Sequence, residues 1–357
     1  MDFQHDLMQQ IKRHPSMQPQ DVIKLCYQGA YGAEHLLEHL DSASAYLEKE
    51  YACVDAADTE LYEIISPHVC RIHLAAWKYR GLPLEWLFHM FTASASITES
   101  GSTLFLDYLQ IAEELIARGE AGFHLSDWQS YLSDYKAAGM NAVHHSGSYR
   151  ANERPAYRII HCQYLPLLPI LETIARKRTS RPICVIAIDG PAASGKSTLA
   201  KHLKTVLDAD IVQMDDFFLP PELRTEDRFR TPGGNIHHER FLDEVISKIT
   251  KPEPFSYRIF DCGLMALSGE KPIESGPFRI VEGSYSCHPV FGHYADVTVA
   301  LQVEPEEQMR RILARNGAQM AELFRQRWIP LEEAYFDHFS IAKNADLQIK
   351  IPVSSAI

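Results

Sequence analysis

The chain has 357 residues, 46% hydrophobic and 10% aromatic, with a formal net charge of −12. That is too long for one ordinary domain of roughly 100–200 residues and too apolar for a disordered chain. The acidic balance excludes a sequence-independent grip on nucleic-acid backbone, which needs clustered Lys and Arg. No run approaches the roughly 18 apolar residues of a membrane span. Seven cysteines (Cys26, Cys53, Cys70, Cys162, Cys184, Cys262, Cys287) form no CxxC pair and are odd in number, as expected of reduced thiols in a cytoplasmic protein. The first twenty residues lack the apolar centre of a signal peptide. The expectation is a soluble cytoplasmic protein with neither nucleic acid nor membrane as partner; a homo-oligomer stays open.

From residue 20 to about 175 the apolar pattern is helical. "DVIKLCYQGAYGAEHLLEHLDSASAYLEKEYA" places Val22, Leu25 and Cys26 on one face and Leu36, Leu37 and Leu40 on another. "ISPHVCRIHLAAWKYRG", "LEWLFHMFTASA", "TLFLDYLQIAEELIARG" and "LSDWQSYLSDYKAAG" continue in that period, with Gly81, Gly119 and Gly139 as helix stops. The first half, residues 1–178, therefore reads as an all-α domain of unknown role. His35 and His39 stand four apart, a zinc-capable spacing for which Cys70 with His73, or His144 with His145, would have to complete the set. "HHSGSYRANERPAYR" (144–158) reads as a loop with Arg150, Arg154 and Arg158, suited either to an anion or to an interdomain contact.

After the basic linker 176–182 the texture changes. "ICVIAID" (183–189), "ADIVQM" (209–214), "FRIVEG" (278–283), "DVTVALQV" (296–303) and "ADLQIKI" (345–351) are short, apolar and rich in Val and Ile. Helical stretches separate most of them, the signature of a parallel sheet with crossovers. Residues 179–357 form an α/β domain on this reading.

"GPAASGKS" fits G-x-x-x-x-G-K-[ST] from Gly190 to Ser197, between a strand and an amphipathic helix carrying Leu199, Leu203 and Leu207. In such a loop the amides of Gly190, Ala192, Ala193, Ser194, Gly195, Lys196, Ser197 and Thr198 turn toward phosphate, and the helix N-terminus adds partial positive charge. Lys196 reaches the transferring phosphate and the Ser197 hydroxyl is the expected Mg²⁺ ligand. ATP and Mg²⁺ are the implied cofactors. The next strand ends in Asp215 and Asp216, where a carboxylate faces the ligand crevice of a parallel sheet and can accept a hydroxyl proton.

"GPAASGKST", "QMDDFFLP", "YRIFDC", "VEGSYS" and "RRILARNG", in that order over residues 181–351, resemble the uridine kinase branch of the phosphoribulokinase, pantothenate kinase and uridine kinase family. The resemblance implies an α/β P-loop kinase domain and a small hydroxyl acceptor, most naturally a nucleoside. It makes Asp215 the general base, with Asp216 as the fallback, and Glu282 a second Mg²⁺ or water ligand. It also implies an arginine-bearing lid in "PEEQMRRILARNGAQMAELFRQRW", where Arg311 and Arg315 best fit, with the spacing off by one residue and Asn316 in place of the usual Asp. Arginine's planar fork suits phosphate. For the acceptor, Arg240 comes from a glycine-broken segment, and Tyr257, Arg258 and Asp261 resemble the family's tyrosine–aspartate element. Departures around both segments keep a sugar, polyol or vitamin open as the acceptor.

Two further readings stand beside this one. "AIDGPAASGKSTLAK" also looks like the opening of cytidylate kinases, but the threonine–glycine element that should follow is replaced by "MDDFFLP". A GTPase is weaker still, since "KNAD" (343–346) has the guanine-binding residues in the wrong order. Outside the enzymes, the chain could be an ATP-gated regulatory protein, which would tolerate the loss of Asp215.

Overall fold

The computed structural model describes residues 2–33, 40–97, 101–177 and 182–350. Its contacts divide into two compact units, Met1–Leu165 and Pro166–Ile357.

In the first unit the helices Phe3–Arg13, Pro19–Tyr31, Gly101–Ala117 and Leu125–Ala137 pack around Leu7, Val22, Leu25, Phe105, Leu109 and Trp128. Gly81, Gly119 and Gly139 each follow a helix end. The unit is not all-helical, however. Strands β1 (Tyr62–Ile64), β2 (Val69–His73) and β3 (Tyr157–His161) form an antiparallel sheet with β2 in the centre. β2 escapes a periodicity argument because Val69, Cys70, Arg71 and Ile72 are all buried, so no alternation shows. Arg71 can be buried there because Glu63 (3.2 Å) and Gln28 (2.8 Å) accept from its guanidinium.

The segment 144–158 is loop only at 144–146 and 154–156. Ser146 Oγ accepts the Tyr149 amide and caps the helix Gly147–Glu153, and Tyr157 opens β3. His145 sits between Asp21 (3.0 Å) and the Tyr157 hydroxyl (2.7 Å), and Arg158 pairs with Glu50. These groups are therefore engaged inside the unit. The His35 and His39 pair lies outside the described residues. Among the described residues no three His, Cys, Asp or Glu side chains gather as a metal site, and Cys70 lies buried against the Ile160 carbonyl.

The second unit is built on a five-stranded parallel sheet. Its strands are β4 (Cys184–Asp189), β5 (Asp210–Gln213), β8 (Phe278–Glu282), β9 (Val297–Gln302) and β10 (Leu347–Lys350), in the order β10-β9-β4-β8-β5. All five lie where the apolar runs predict. Val185–Ile188 and Ile280–Val281 are fully buried, since helices cover both faces of such a sheet. A β-hairpin that the apolar runs do not reveal, β6 (Phe255–Asp261) with β7 (Ala266–Ile273), pairs only with itself among the described residues and reaches the sheet through side chains, Tyr257 and Lys271 meeting Gln213. The helix Leu168–Lys177 packs on β9, and the Lys177 ammonium bonds to Asp346 and to the Asp296 carbonyl. Among the described residues no helix is long and apolar enough to cross a membrane.

Candidate active site

β4 runs into the loop at Gly190, and the loop runs into the helix Lys196–Leu207. Gly190 has φ +149°, and a Cβ there would stand 2.8 Å from the Leu301 carbonyl oxygen, so the loop can pass β9 only as glycine. Lys196 is largely buried. Its ammonium donates to the carbonyls of Gly190 (2.8 Å) and Pro191 (2.9 Å) and, at 3.4 Å, to the Ser284 hydroxyl. Ser194 is buried beneath the loop, whereas Ser197 and Thr198 are exposed at the start of the helix.

Glu282 at the end of β8 and Asp215 and Asp216 just past the end of β5 lie at the same end of the sheet as this loop. Glu282 ends β8, in register with Ile188 of β4 and Gln213 of β5, and its Oε2 lies 3.2 Å from Ser197 Oγ. Burial raises the Glu282 carboxyl above its ordinary range, against the pull of the Lys196 charge. The Ser197–Glu282 pair offers hard oxygen donors at a separation close to the octahedral edge of about 3 Å around Mg²⁺, so these residues fit that ion. The sequence predicts that β5 ends in Asp215 and Asp216, but the strand stops at Gln213 and both aspartates lie in the 3₁₀ turn Met214–Phe217. Asp215 is exposed there and makes no side-chain hydrogen bond among the described residues. It follows β5, the strand that pairs with β8, and so lies at the same end of the sheet as Glu282. Asp216 is held differently. Tyr257 donates to its carboxylate (2.8 Å) and Arg240 to its carbonyl. Its carboxyl is raised by burial.

The other expected acceptor residues divide. Tyr257 and Arg240 converge on Asp216, but Arg258 Nε and backbone N–H both donate to Glu244 (2.8 Å each). Asp261 accepts from Gly263 and Leu264 and closes the turn of the β6–β7 hairpin. Of the arginines expected in a lid, Arg311 reaches the Ala193 carbonyl at 3.2 Å and pairs with Glu307, whereas exposed Arg315 bonds among the described residues only to Asn316. Gly317, at φ +77° and ψ 170°, breaks the helix Pro305–Leu323 just beyond them.

Sequence reasoning missed four supports. Asp189, fully buried at the end of β4, accepts from the amides of Gly190, Tyr285 and Cys287 and from the Tyr335 hydroxyl. Its position at the end of an apolar strand was the available signal. Gln213 bridges Lys271 (3.0 Å) to Glu282 (3.5 Å). Ser284 and Glu332 meet the loop from β8 and from the helix Ile329–Phe339; nothing in "PLEEAYF" marks Glu332 apart from Glu333.

A parallel sheet whose central strand runs through a glycine loop into a helix, with Glu282 closing the neighbouring strand at the same end, is consistent with an α/β P-loop fold. No family model and no curated protein matches the chain. Among solved structures, a Bacillus stearothermophilus protein provisionally assigned as a uridine kinase matches at 17% identity and TM-score 0.38, over 48% of this chain and 90% of its own. A Silicibacter protein provisionally assigned as a fructose transport system kinase matches at 21% identity and TM-score 0.44, over 51% and 98%.

Proposed function

We propose that the chain is an ATP- and Mg²⁺-dependent phosphotransferase that phosphorylates a hydroxyl of a small molecule, a nucleoside such as uridine being the leading acceptor and a sugar, polyol or vitamin the alternative. What supports this reading is that the Lys196 ammonium, anchored on the loop carbonyls, and the Ser197–Glu282 oxygen pair stand at one end of the parallel sheet. Exposed Asp215, which has no side-chain hydrogen bond among the described residues, lies just past the end of β5 beside β8. Lys196 and the loop amides hold the terminal phosphates. Ser197 and Glu282 hold the metal, which when bound neutralises charge on the phosphate oxygens. Asp215 accepts the acceptor's hydroxyl proton as its oxygen bonds to the γ-phosphorus and the bond to the ADP oxygen breaks. Arg311 and Arg315 screen the developing charge, and Asp216, fixed by Tyr257 and Arg240, shapes the acceptor wall. A screen of nucleosides, sugars, polyols and vitamins by ATP consumption tests it. Saturable turnover with one acceptor class is expected; binding of ATP with no acceptor-stimulated turnover would favour the ATP-gated regulatory reading.

A further inference from the structure

Glu332 is a largely buried carboxylate held against the loop. Its Oε2 accepts the backbone N–H of Ala192 at 2.8 Å, and its Oε1 lies 2.8 Å from the Ser284 hydroxyl, which in turn is 2.9 Å from the Gly190 carbonyl. Burial raises the Glu332 carboxyl, with the Lys196 charge opposing. The position of Ala192 gives this contact its meaning. Lys196, the group of such a loop that reaches the β- and γ-phosphates, is anchored on the carbonyls of Gly190 and Pro191. The terminal-phosphate end of the cradle is therefore the end beside Ala192, whereas the inner phosphates belong to the amides at the helix N-terminus. A γ-phosphate arriving there meets a donor already used by a carboxylate.

We propose that Glu332 is the residue by which this site distinguishes a nucleoside triphosphate from a diphosphate. A γ-phosphate competes with the Glu332 carboxylate for the Ala192 amide and is repelled by its charge; a diphosphate ends short of both. Triphosphate binding is thereby coupled to release of Glu332. The same helix is pinned one turn on, where the Tyr335 hydroxyl donates to Asp189 at 2.7 Å, so the contested contact is the Ala192 one. The break at Gly317 lies between this helix and Arg311, which touches the adjoining Ala193 carbonyl. The inference rests on the phosphate-binding reading of the loop.

The test is calorimetry on the full chain with Mg²⁺, using ADP and a β,γ-imido analogue of ATP. Glu332→Gln should bind the triphosphate analogue about tenfold tighter, the scale of removing one charge a few ångström from another at a protein surface, and ADP within about twofold of the original. Glu333→Gln, the same charge change on an exposed neighbour, should shift neither. Glu332→Asp, which withdraws the charge by one methylene, should tighten the triphosphate in the same direction and serves if the Gln variant does not fold. Equal shifts for both nucleotides, no shift, or weaker triphosphate binding would overturn the inference while leaving the loop's role intact. Failure of the unaltered chain to bind either nucleotide would remove the loop reading, and this inference with it.

Discussion

Ser197 Oγ and Glu282 Oε2 face each other at 3.2 Å, one from the first turn of the loop helix and the other from the end of the neighbouring strand. Residues 85 apart in sequence thus form one oxygen pair. If that pair holds Mg²⁺, Glu282→Gln removes a charged ligand. The variant should need a higher Mg²⁺ concentration for half-maximal activity and lose about tenfold or more in kcat. Titrating activity against Mg²⁺ decides the point, and an unchanged Mg²⁺ profile would remove Glu282 from the metal site.

Lys196→Ala should lower turnover by about 10²-fold or more, because it removes a donor aimed at charge that develops during transfer. Single-turnover rates and a thermal melt of the variant check this together. A folded variant that keeps most of its activity would end the phosphotransferase assignment.

The adjacent aspartates should behave oppositely. The Asp215 side chain is free of hydrogen bonds among the described residues, so Asp215→Asn should lower kcat steeply and leave ATP affinity and melting temperature close to the original. Asp216 is tied to Tyr257, so Asp216→Asn should cost about 1 kcal/mol of stability and act mainly on acceptor KM. The reverse pattern would make Asp216 the base. Little effect on kcat from either would point to a phosphate acceptor, which needs no deprotonation.

The first unit carries a pH dependence of its own. Burial brings the His145 imidazole down to about 4, against its bond to the Asp21 carboxylate. An unfolded histidine takes up its proton near pH 6.5, so between about 6.5 and 4 the unfolded chain binds a proton that the folded chain does not. Stability therefore falls as pH falls through that window, by up to about 1.4 kcal/mol per unit for this group. His14 acts in the opposite sense: its burial is outweighed by bonds to Glu63 and Glu153, so its contribution is present below the unfolded value and lost as pH rises. Between pH 7 and 5 the denaturant midpoint should fall by less in His145→Gln than in the original chain. Equal slopes would mean that His145 titrates normally.

A fragment covering residues 166–357 should fold and bind ATP with Mg²⁺, whereas 179–357 should be poorly soluble. The shorter piece lacks the helix Leu168–Lys177 with buried Leu168, Ile170, Leu171 and Ile174, each worth about 1.5–3 kcal/mol when buried. Circular dichroism and nucleotide calorimetry on both fragments test this; equal stability would put the working boundary at 178.

The sequence by itself determined the parallel sheet, the glycine loop and the order of Lys196, Ser197, Asp215 and Glu282, because strands covered on both faces and glycine turns between strand and helix constrain residue type locally. It did not reveal β2, whose burial on both faces erases the period-two signal, or the β6–β7 hairpin, where β7 shows five exposed residues in succession at its start. It could not separate Asp215 from Asp216 or Glu332 from Glu333, since neighbours of identical chemistry differ only in where the backbone points them. That was decided by tertiary structure: Tyr257 and Arg240 arrive from distant segments to fix Asp216, and one helix turns Glu332 into the loop and Glu333 into solvent.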